Sequence, residues 1–145
     1  MAQTITNRGK YLLAHGDIVP GTTDLRMGLL KTLAAHTNVP DLNFVDIMEA
    51  HADFAELTGA SGYARVALTT ETASEDDTND WALIDCDDVA FGALGTGGTI
   101  VGAFIYIHTG SDATAQLIGI FDLTSTPTNG GTVTVTTPNG FLKLT

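Results

Sequence analysis

One stretch, GAFIYIHTGSDATAQLIGIFD at residues 102–122, carries most of the argument for the fold. Two almost wholly apolar runs flank a polar group of Thr, Gly, Ser and Asp. Each run is too short for a buried helix, so the pattern predicts two strands of a hairpin, at 100–108 and 117–123. A sheet with one solvated face would show a polar residue at every second position, and neither strand does. The hairpin is therefore predicted to be central and covered on both faces.

The period of two along a strand assigns these side chains to opposite faces. In the first strand, one face carries Val101, Ala103, Ile105 and Ile107, and the other carries Ile100, Phe104, Tyr106 and His108. In the second strand, one face carries Leu117, Phe121 and Leu123, and the other carries Ile118 and Ile120. One short helix could cover only part of the second face. We therefore expect the remaining apolar surface to be buried by self-association, as a symmetric homotrimer.

Composition agrees with a β-rich domain. The 145 residues suffice for one domain with a core, only 16% are charged, and 16 are glycine. The sequence predicts a mainly β protein, an antiparallel β-sandwich-like single domain with one or two short helices. A flexible arm at 1–10 is predicted to precede the domain at 11–145.

Two segments before residue 58 are predicted to be helical and one to be a strand. A short helix is expected at 10–14, ended by Gly16, and a strand within 21–33. That strand would alternate Leu25, Met27 and Leu29 against Arg26, Gly28 and Leu30. A helix of two or three turns is expected within 40–57, with Asp41 as its N-cap and a break near His51. Its apolar stripe would consist of Phe44, Ile47, Met48, His51, Phe54 and Ala55.

The second half of the chain reads as strands and turns. A strand is predicted at 63–70, and an acidic, solvated and mobile loop at 71–80. Short strands within 81–91 would break at Asp87 and Asp88. From residue 100 onward the alternation of strands and turns predicts an antiparallel meander, which continues through strands at 132–137 and 141–145.

The net charge of −11 limits the classes of partner. Six basic residues face 17 acidic ones, and no cluster of Lys and Arg could neutralise a run of phosphates. Nucleic acid and anionic membranes are therefore not expected as partners. No apolar run approaches the roughly 20 residues that span a bilayer. The apolar part of the N-terminus, YLLA, is too short for a signal peptide, which predicts a protein made in the cytoplasm.

No constellation of residues predicts catalysis. The spacing of the four histidines suits no metal-ligand pair; they are His15, His36, His51 and His108. Because Cys86 is the one cysteine of the sequence, an internal disulfide is excluded. The segment DCDDVAFG at 85–92 lacks the spacing of a calcium loop, and GTGG at 95–98 lacks the context of a phosphate loop. We predict no enzyme activity, no catalytic, cofactor or metal site, and no cofactor.

Five segments follow one another in an order that resembles a family of small tailed-bacteriophage virion proteins. They are YLLAHGDIVPGTTDLRMGLLKT (11–32), GYARVALT (62–69), DVAFGAL (88–94), IYIHTGSDATAQLIGIFDL (105–123) and TPTNGGTVTVTTPNGFLKLT (126–145). The similarity covers most of the chain and is clearest from residue 88. Its motifs are turns and core strands.

The resemblance implies a head decoration (cement) protein on the capsid exterior, which braces neighbouring capsomers. Its partners would be the major capsid protein and other copies of itself. The alternative is a tail, fibre or baseplate module, structural or carbohydrate-binding. The candidate capsid-binding surfaces are the loops between strands and the arm at 1–10. The arm is polar apart from Ile5 and carries two basic residues, so Ile5, Arg8 and Lys10 are the predicted capsid-binding residues. A frayed terminus without function is the other interpretation of this arm.

Overall fold

The computed structural model describes residues 2–137 and 140–144, which form antiparallel sheets and short helices. The α-helices are α1 (Asn7–His15) and α2 (Val45–Ala50), and a 3₁₀ helix spans His36–Asp41. The strands are β1 (Gln3–Ile5), β2 (Leu25–Leu33), β3 (Phe54–Glu56), β4 (Val66–Ala67), β5 (Thr72–Asp76), β6 (Trp81–Asp85), β7 (Val89–Ala93), β8 (Thr99–Ile107), β9 (Gln116–Pro127), β10 (Thr132–Val135) and β11 (Leu142–Leu144).

The predicted hairpin lies at the centre of the larger sheet. The strand order is β1-β9-β8-β2-β3, and β4 also pairs with β2. Two smaller sheets, β10-β7 and β11-β6-β5, form the second layer. The chain is thus mainly β, with antiparallel sheets in a sandwich-like arrangement, as predicted.

The first core lies between the two layers. The larger sheet contributes Leu25, Met27 and Leu29, the face predicted for β2, together with Ala103, Ile105, Ile118 and Phe121. The smaller sheets contribute Ile84, Val89, Phe91, Val135 and Leu142, and α1 contributes Leu12. Fully burying one side chain of this size contributes about 1.5–3 kcal/mol to the free energy of unfolding. The first core, with many such side chains, is therefore the main source of stability.

The second core covers the opposite face of the central hairpin. The 3₁₀ helix, α2 and the segments around them lie over Leu30, Phe104, Tyr106, Leu117 and Ile120. None of these five side chains is more than 2% exposed. The chain therefore covers both faces by itself, and the expectation that one face remains partly uncovered is wrong. Short non-strand segments suffice because the 3₁₀ helix adds Val39 to the contribution of α2.

Two β-bulges alter the predicted faces of the hairpin. The pairing skips from Ile105–Gly119 to Tyr106–Leu117, so Ile118 is an extra residue and turns toward the first core. A second shift, between Ile100 and Gly102, turns Ile100 to that core as well. The predicted grouping of Leu117 with Phe121, and of Ile100 with Phe104, is therefore wrong, because irregular pairing interrupts the alternation of faces at both places.

The segment at 40–57 forms less helix than predicted. Only Val45–Ala50 is α-helical, His51 ends it as predicted, and Phe54 already begins β3. Asp41 ends the 3₁₀ helix instead of capping α2. The first amides of α2 donate to the carbonyl oxygens of the β8–β9 loop (residues 108–115), so no side-chain cap is needed. Ile47, a member of the predicted stripe, is 43% exposed, whereas Val45, which the predicted stripe does not include, is buried.

Three predictions for the second half differ from the structure. The acidic segment at 71–80 is exposed but contains β5, which pairs with β6 as a hairpin. Asp76 closes its turn by accepting hydrogen bonds from the amides of Thr78 and Asn79. The strands after β9 do not continue a meander, because β10 pairs with β7 and β11 with β6. Within the predicted strand at 63–70, only Val66–Ala67 pairs.

The segment predicted as an arm at 1–10 differs too, since its described residues join the domain. Gln3–Ile5 forms β1 on β9, and Asn7 begins α1. The Thr6 hydroxyl caps α1 by accepting from the Gly9 amide at 2.8 Å, and donates to the Leu117 carbonyl at 2.6 Å. The predicted helix end at Gly16 is confirmed, in the left-handed conformation. Met1 lies outside the described residues.

We expect Gly9→Ala to destabilise the protein by about 1–3 kcal/mol, the usual cost of overpacking. A Cβ on Gly9 would overlap the Ile118 carbonyl oxygen, which is backbone and cannot rotate away. Alanine is otherwise the better helix former, so the sign of the change tests the contact. Gly92→Ala is the control, because nothing lies within 4 Å of that position. Urea unfolding measures both, and a stabilised Gly9→Ala variant would contradict the packing.

Candidate functional site

The predicted capsid-binding residues do not share one surface. Ile5 is only 8% exposed and packs in the first core, so it offers no surface to a partner. Arg8 is half-buried and Lys10 is exposed, both on α1. The structure therefore leaves two of the three predicted residues able to contact another molecule.

Arg8 belongs to a stacked row along α1. Its Nε donates to Oε1 of Gln116 at 2.6 Å, and its guanidinium lies 5.4 Å from the centroid of the Tyr11 ring. The Tyr11 ring in turn stacks on His15, with 5.5 Å between centroids. Tyr11 is 53% exposed, more than any other large hydrophobic side chain among the described residues. We call Arg8, Lys10, Tyr11 and His15 the α1 outer face.

The most densely connected polar group surrounds Arg65. Its Nε and Nη2 donate to the two carboxylate oxygens of Glu56 at 2.7 Å each, and Nη2 also donates to Glu49 at 2.7 Å. Nη1 donates to Asp112 in the β8–β9 loop. The Tyr63 hydroxyl donates to Glu56 at 2.6 Å. We call these five residues the Arg65 cluster.

The Arg65 cluster rests on the second core. The guanidinium lies 5.4 Å from the Phe104 ring centroid and 5.2 Å from that of Tyr106. The side chain of Glu56 is only 4% exposed and that of Arg65 17%. The cluster thereby joins α2, β3, the segment before β4 and the β8–β9 loop over the central hairpin.

Three carboxylates around one guanidinium shift the pKa values of the group. Burial raises the pKa of Glu49 to about 7, and a hydrogen bond with Glu56 and the charge of Asp112 act in the same direction. Burial opposes the charge of Glu56, but hydrogen bonds from Arg65 and Tyr63 outweigh it and lower its pKa. Glu49 thus holds a proton over part of the range below neutral pH, while Glu56 is ionised.

We expect Arg65→Met to cost about 3–5 kcal/mol of unfolding free energy, because Glu56 would remain buried and ionised without its cation. Arg26→Met is the control. Arg26 pairs with Asp24 at 3.1 Å at the surface, where such pairs contribute about 0–1 kcal/mol. Adding Glu56→Gln to Arg65→Met should recover part of the loss. Equal losses in the Arg65 and Arg26 variants would contradict the assignment.

We expect Glu49→Gln to remove one component of the pH dependence of stability. The folded-state pKa of about 7 lies above the ordinary 4.5, so Glu49 contributes stability at low pH that is lost as the pH rises through 7. The variant should therefore be more stable than the unaltered chain at pH 8, with the difference shrinking toward pH 5. Urea unfolding across this range measures it, with Glu75→Gln on exposed β5 as the control. A difference that does not vary with pH would refute this.

The described residues include His, Asp, Glu and Cys side chains, the types that hold metal ions or act as nucleophiles. They contain no group of three or more His, Cys, Asp or Glu side chains placed to hold a metal ion. His36 bridges Asp122 at 2.7 Å and Thr4 at 2.9 Å, and thereby joins the 3₁₀ helix to β9 and β1. Cys86 is half-buried, and burial raises the pKa of its thiol to about 11, far from the thiolate that a nucleophile requires.

An open groove of about 480 Å³ separates the end of β9 from β10. Its lining residues are Ala2, Ile100, Asp122, Leu123, Thr124, Thr126, Val133, Thr134, Val135 and Thr136. We call it the β9–β10 groove. Consecutive residues of both strands border it, so the strand edges and not only one side-chain face are exposed to it. Sequence reasoning missed this groove, although the lack of charge at 123–142 was a usable signal.

Comparisons with known proteins add no identity. The chain matches no protein family, no curated protein and no solved structure. Among the described residues, no helix is long and apolar enough to cross a membrane.

Proposed function

We propose that this chain is a head decoration (cement) protein of a tailed bacteriophage, bound to the outside of the assembled capsid. The observation that carries the proposal is the ordered resemblance of its segments to small virion proteins, from YLLAHGDIVPGTTDLRMGLLKT to TPTNGGTVTVTTPNGFLKLT. The role is structural, without catalysis, cofactor, nucleic acid or membrane. The chain is made in the host cytoplasm and acts on the virion.

The positions of these segments support a common fold with such proteins. The segment at 62–69 contributes Arg65 and β4, the segment at 88–94 forms β7, and 105–123 contains most of the central hairpin. The described part of 126–145 supplies β10 and β11 to the second layer. The motifs thus lie at positions where packing constrains the residue type.

A cement protein stabilises by binding the closed lattice better than its free subunits. Mass action then shifts the lattice toward the closed state. In this proposal the α1 outer face supplies the contact to the major capsid protein through Lys10, Arg8 and exposed Tyr11. Aromatic and Arg side chains are the residues most often dominant in interfaces. Ile5 is dropped, because its side chain is buried.

Self-association as a homotrimer stays a prediction. Its original reason, an apolar face that the chain leaves uncovered, no longer holds, since the residues of the central hairpin that form the second core are buried within one chain. What still favours self-association is the proposed role, because a decoration protein acts through oligomerisation and contact with the major capsid protein. Multiple linked contacts would increase binding to a lattice, which is why a trimer suits this function.

The test has two stages. Antibodies raised against the purified chain are applied to particles from cells that produce it, and electron microscopy locates the label. Label over the heads supports the proposal, whereas label confined to tails favours the tail, fibre or baseplate alternative.

The second stage tests the surface. Heads lacking the chain are incubated with it, and the temperature of capsid disruption is measured. We expect the chain to raise this temperature, and Lys10→Glu with Tyr11→Ala to abolish the increase because both side chains lie on the α1 outer face. Lys31→Glu is the control, with the same charge change on exposed Lys31 of β2. An undiminished effect of the α1 variant would remove α1 from the interface.

A further inference from the structure

We propose that the β9–β10 groove accepts a single extended, uncharged peptide segment of another protein, which pairs with β9 as an added strand in line with β1. The inference does not depend on the proposed function, because it concerns a surface of this chain wherever the protein acts. Strand addition of this kind uses backbone hydrogen bonds for affinity and side-chain pockets for specificity.

β1 is much shorter than β9, the strand with which it pairs. β1 pairs with residues 119–121 of β9, and the Asp122 amide still donates to the Ala2 carbonyl at 2.9 Å. β9 continues to Pro127, and no strand among the described residues pairs with 123–127 on the side of β1. β10 likewise pairs only with β7 in the described chain. The groove is thus bordered by two strand segments that have no described strand paired along one edge.

The segment that borders the groove carries little charge. The run 123–142 contains no Asp, Glu, Lys or Arg, in a chain with 23 such residues. Much of this run is exposed, including 124–127 and 129–132. By contrast, β5, an edge strand of the second layer, carries Glu75 and Asp76 and follows Glu71. Charges on a free edge discourage unwanted pairing, and β5 carries such charges while the β9–β10 groove does not.

The lining specifies what the groove accepts. Ile100, Leu123, Val133 and Val135 provide apolar contacts, and Thr124, Thr126, Thr134 and Thr136 provide hydroxyls. Asp122 is the one charged residue of the lining, and it pairs with His36. Uncharged walls disfavour a charged occupant, which would lose hydration without gaining a counter-charge. An alternation of β-branched and small polar residues fits this surface.

The geometry favours a single strand over a second copy of the whole domain. β9 and β10 both line the groove, so an occupant that pairs with β9 must also fit beside β10, which demands less room for one extended segment than for a folded sheet. An isolated extended segment can enter between the two walls and pair with β9. Because β1 runs antiparallel to β9, a segment continuing the line of β1 would be antiparallel as well.

A first experiment lets the chain supply the strand. An N-terminal extension of Thr-Val-Thr-Val-Thr, placed ahead of Met1, would follow the line of β1 along 123–127. We expect it to raise the Tm by about 3 °C or more relative to the unextended chain. Thr-Pro-Thr-Pro-Thr is the matched extension, because proline cannot donate backbone hydrogen bonds. Equal Tm values for the two extensions would overturn the proposal.

A second experiment supplies the strand in trans to the unmodified full chain. The probe is the capped peptide Thr-Val-Thr-Val-Thr-Val, and the readout is amide hydrogen exchange at 124–126. We expect exchange there to slow about tenfold at saturation, and Thr126→Lys to prevent it by placing a charge on the edge. Thr72→Lys on β5 is the control variant and should leave the effect intact.

Every outcome decides. Protection at 124–126 by the peptide, lost in Thr126→Lys, supports the proposal. No protection at any peptide concentration overturns it. Protection that grows with protein concentration in the absence of peptide would assign the groove to a second copy, and overturns it too. A stable Thr126→Lys fold is checked by its Tm.

Discussion

A strand pair that is apolar on both sides must be covered twice, and the rest of this chain is arranged around that requirement. β8 and β9 place Ile105 and Ile118 against one layer and Phe104 and Ile120 against the other, and all four are fully buried. The first cover consists of the two smaller sheets, whose paired strands bury one face of the hairpin. The second is made of a 3₁₀ helix and the six-residue α2, which could not be stable alone.

The weakness of the second cover explains the Arg65 cluster. A helix as short as α2 holds its place only through tertiary contacts, and two kinds are present. Carbonyl oxygens of the β8–β9 loop accept hydrogen bonds from the first amides of the helix. Arg65 forms ion pairs with both Glu49 of the helix and Glu56 of β3. A buried ion pair adds little stability compared with apolar packing, but it fixes geometry because its loss is costly. We infer that the cluster sets where α2 sits on the hairpin.

The parts of the fold that could be predicted from sequence are those that local alternation determines. The faces of β2, the central hairpin and the break at His51 follow from side chains within a few residues of each other. The bulge at Ile118 could not be predicted, because nothing local distinguishes an extra residue from a regular one. The partners of Arg65 could not either, since Glu49 and Asp112 lie 16 and 47 residues away. The burial of Ile5 could not be predicted either, because β9, the strand with which its segment pairs, comes more than a hundred residues later.

The distribution of charge separates two kinds of surface on one molecule. Most acidic residues are exposed, as on the β5–β6 hairpin, and with a net charge of −11 such surfaces repel one another within a Debye length of about 8 Å. An uncharged, exposed edge is costly in such a protein, because it invites pairing with any extended chain. The uncharged edge at 123–127 of β9 lies next to β1, where an added strand would continue the pairing of β1 with β9. Such an edge is physically consistent with a binding surface.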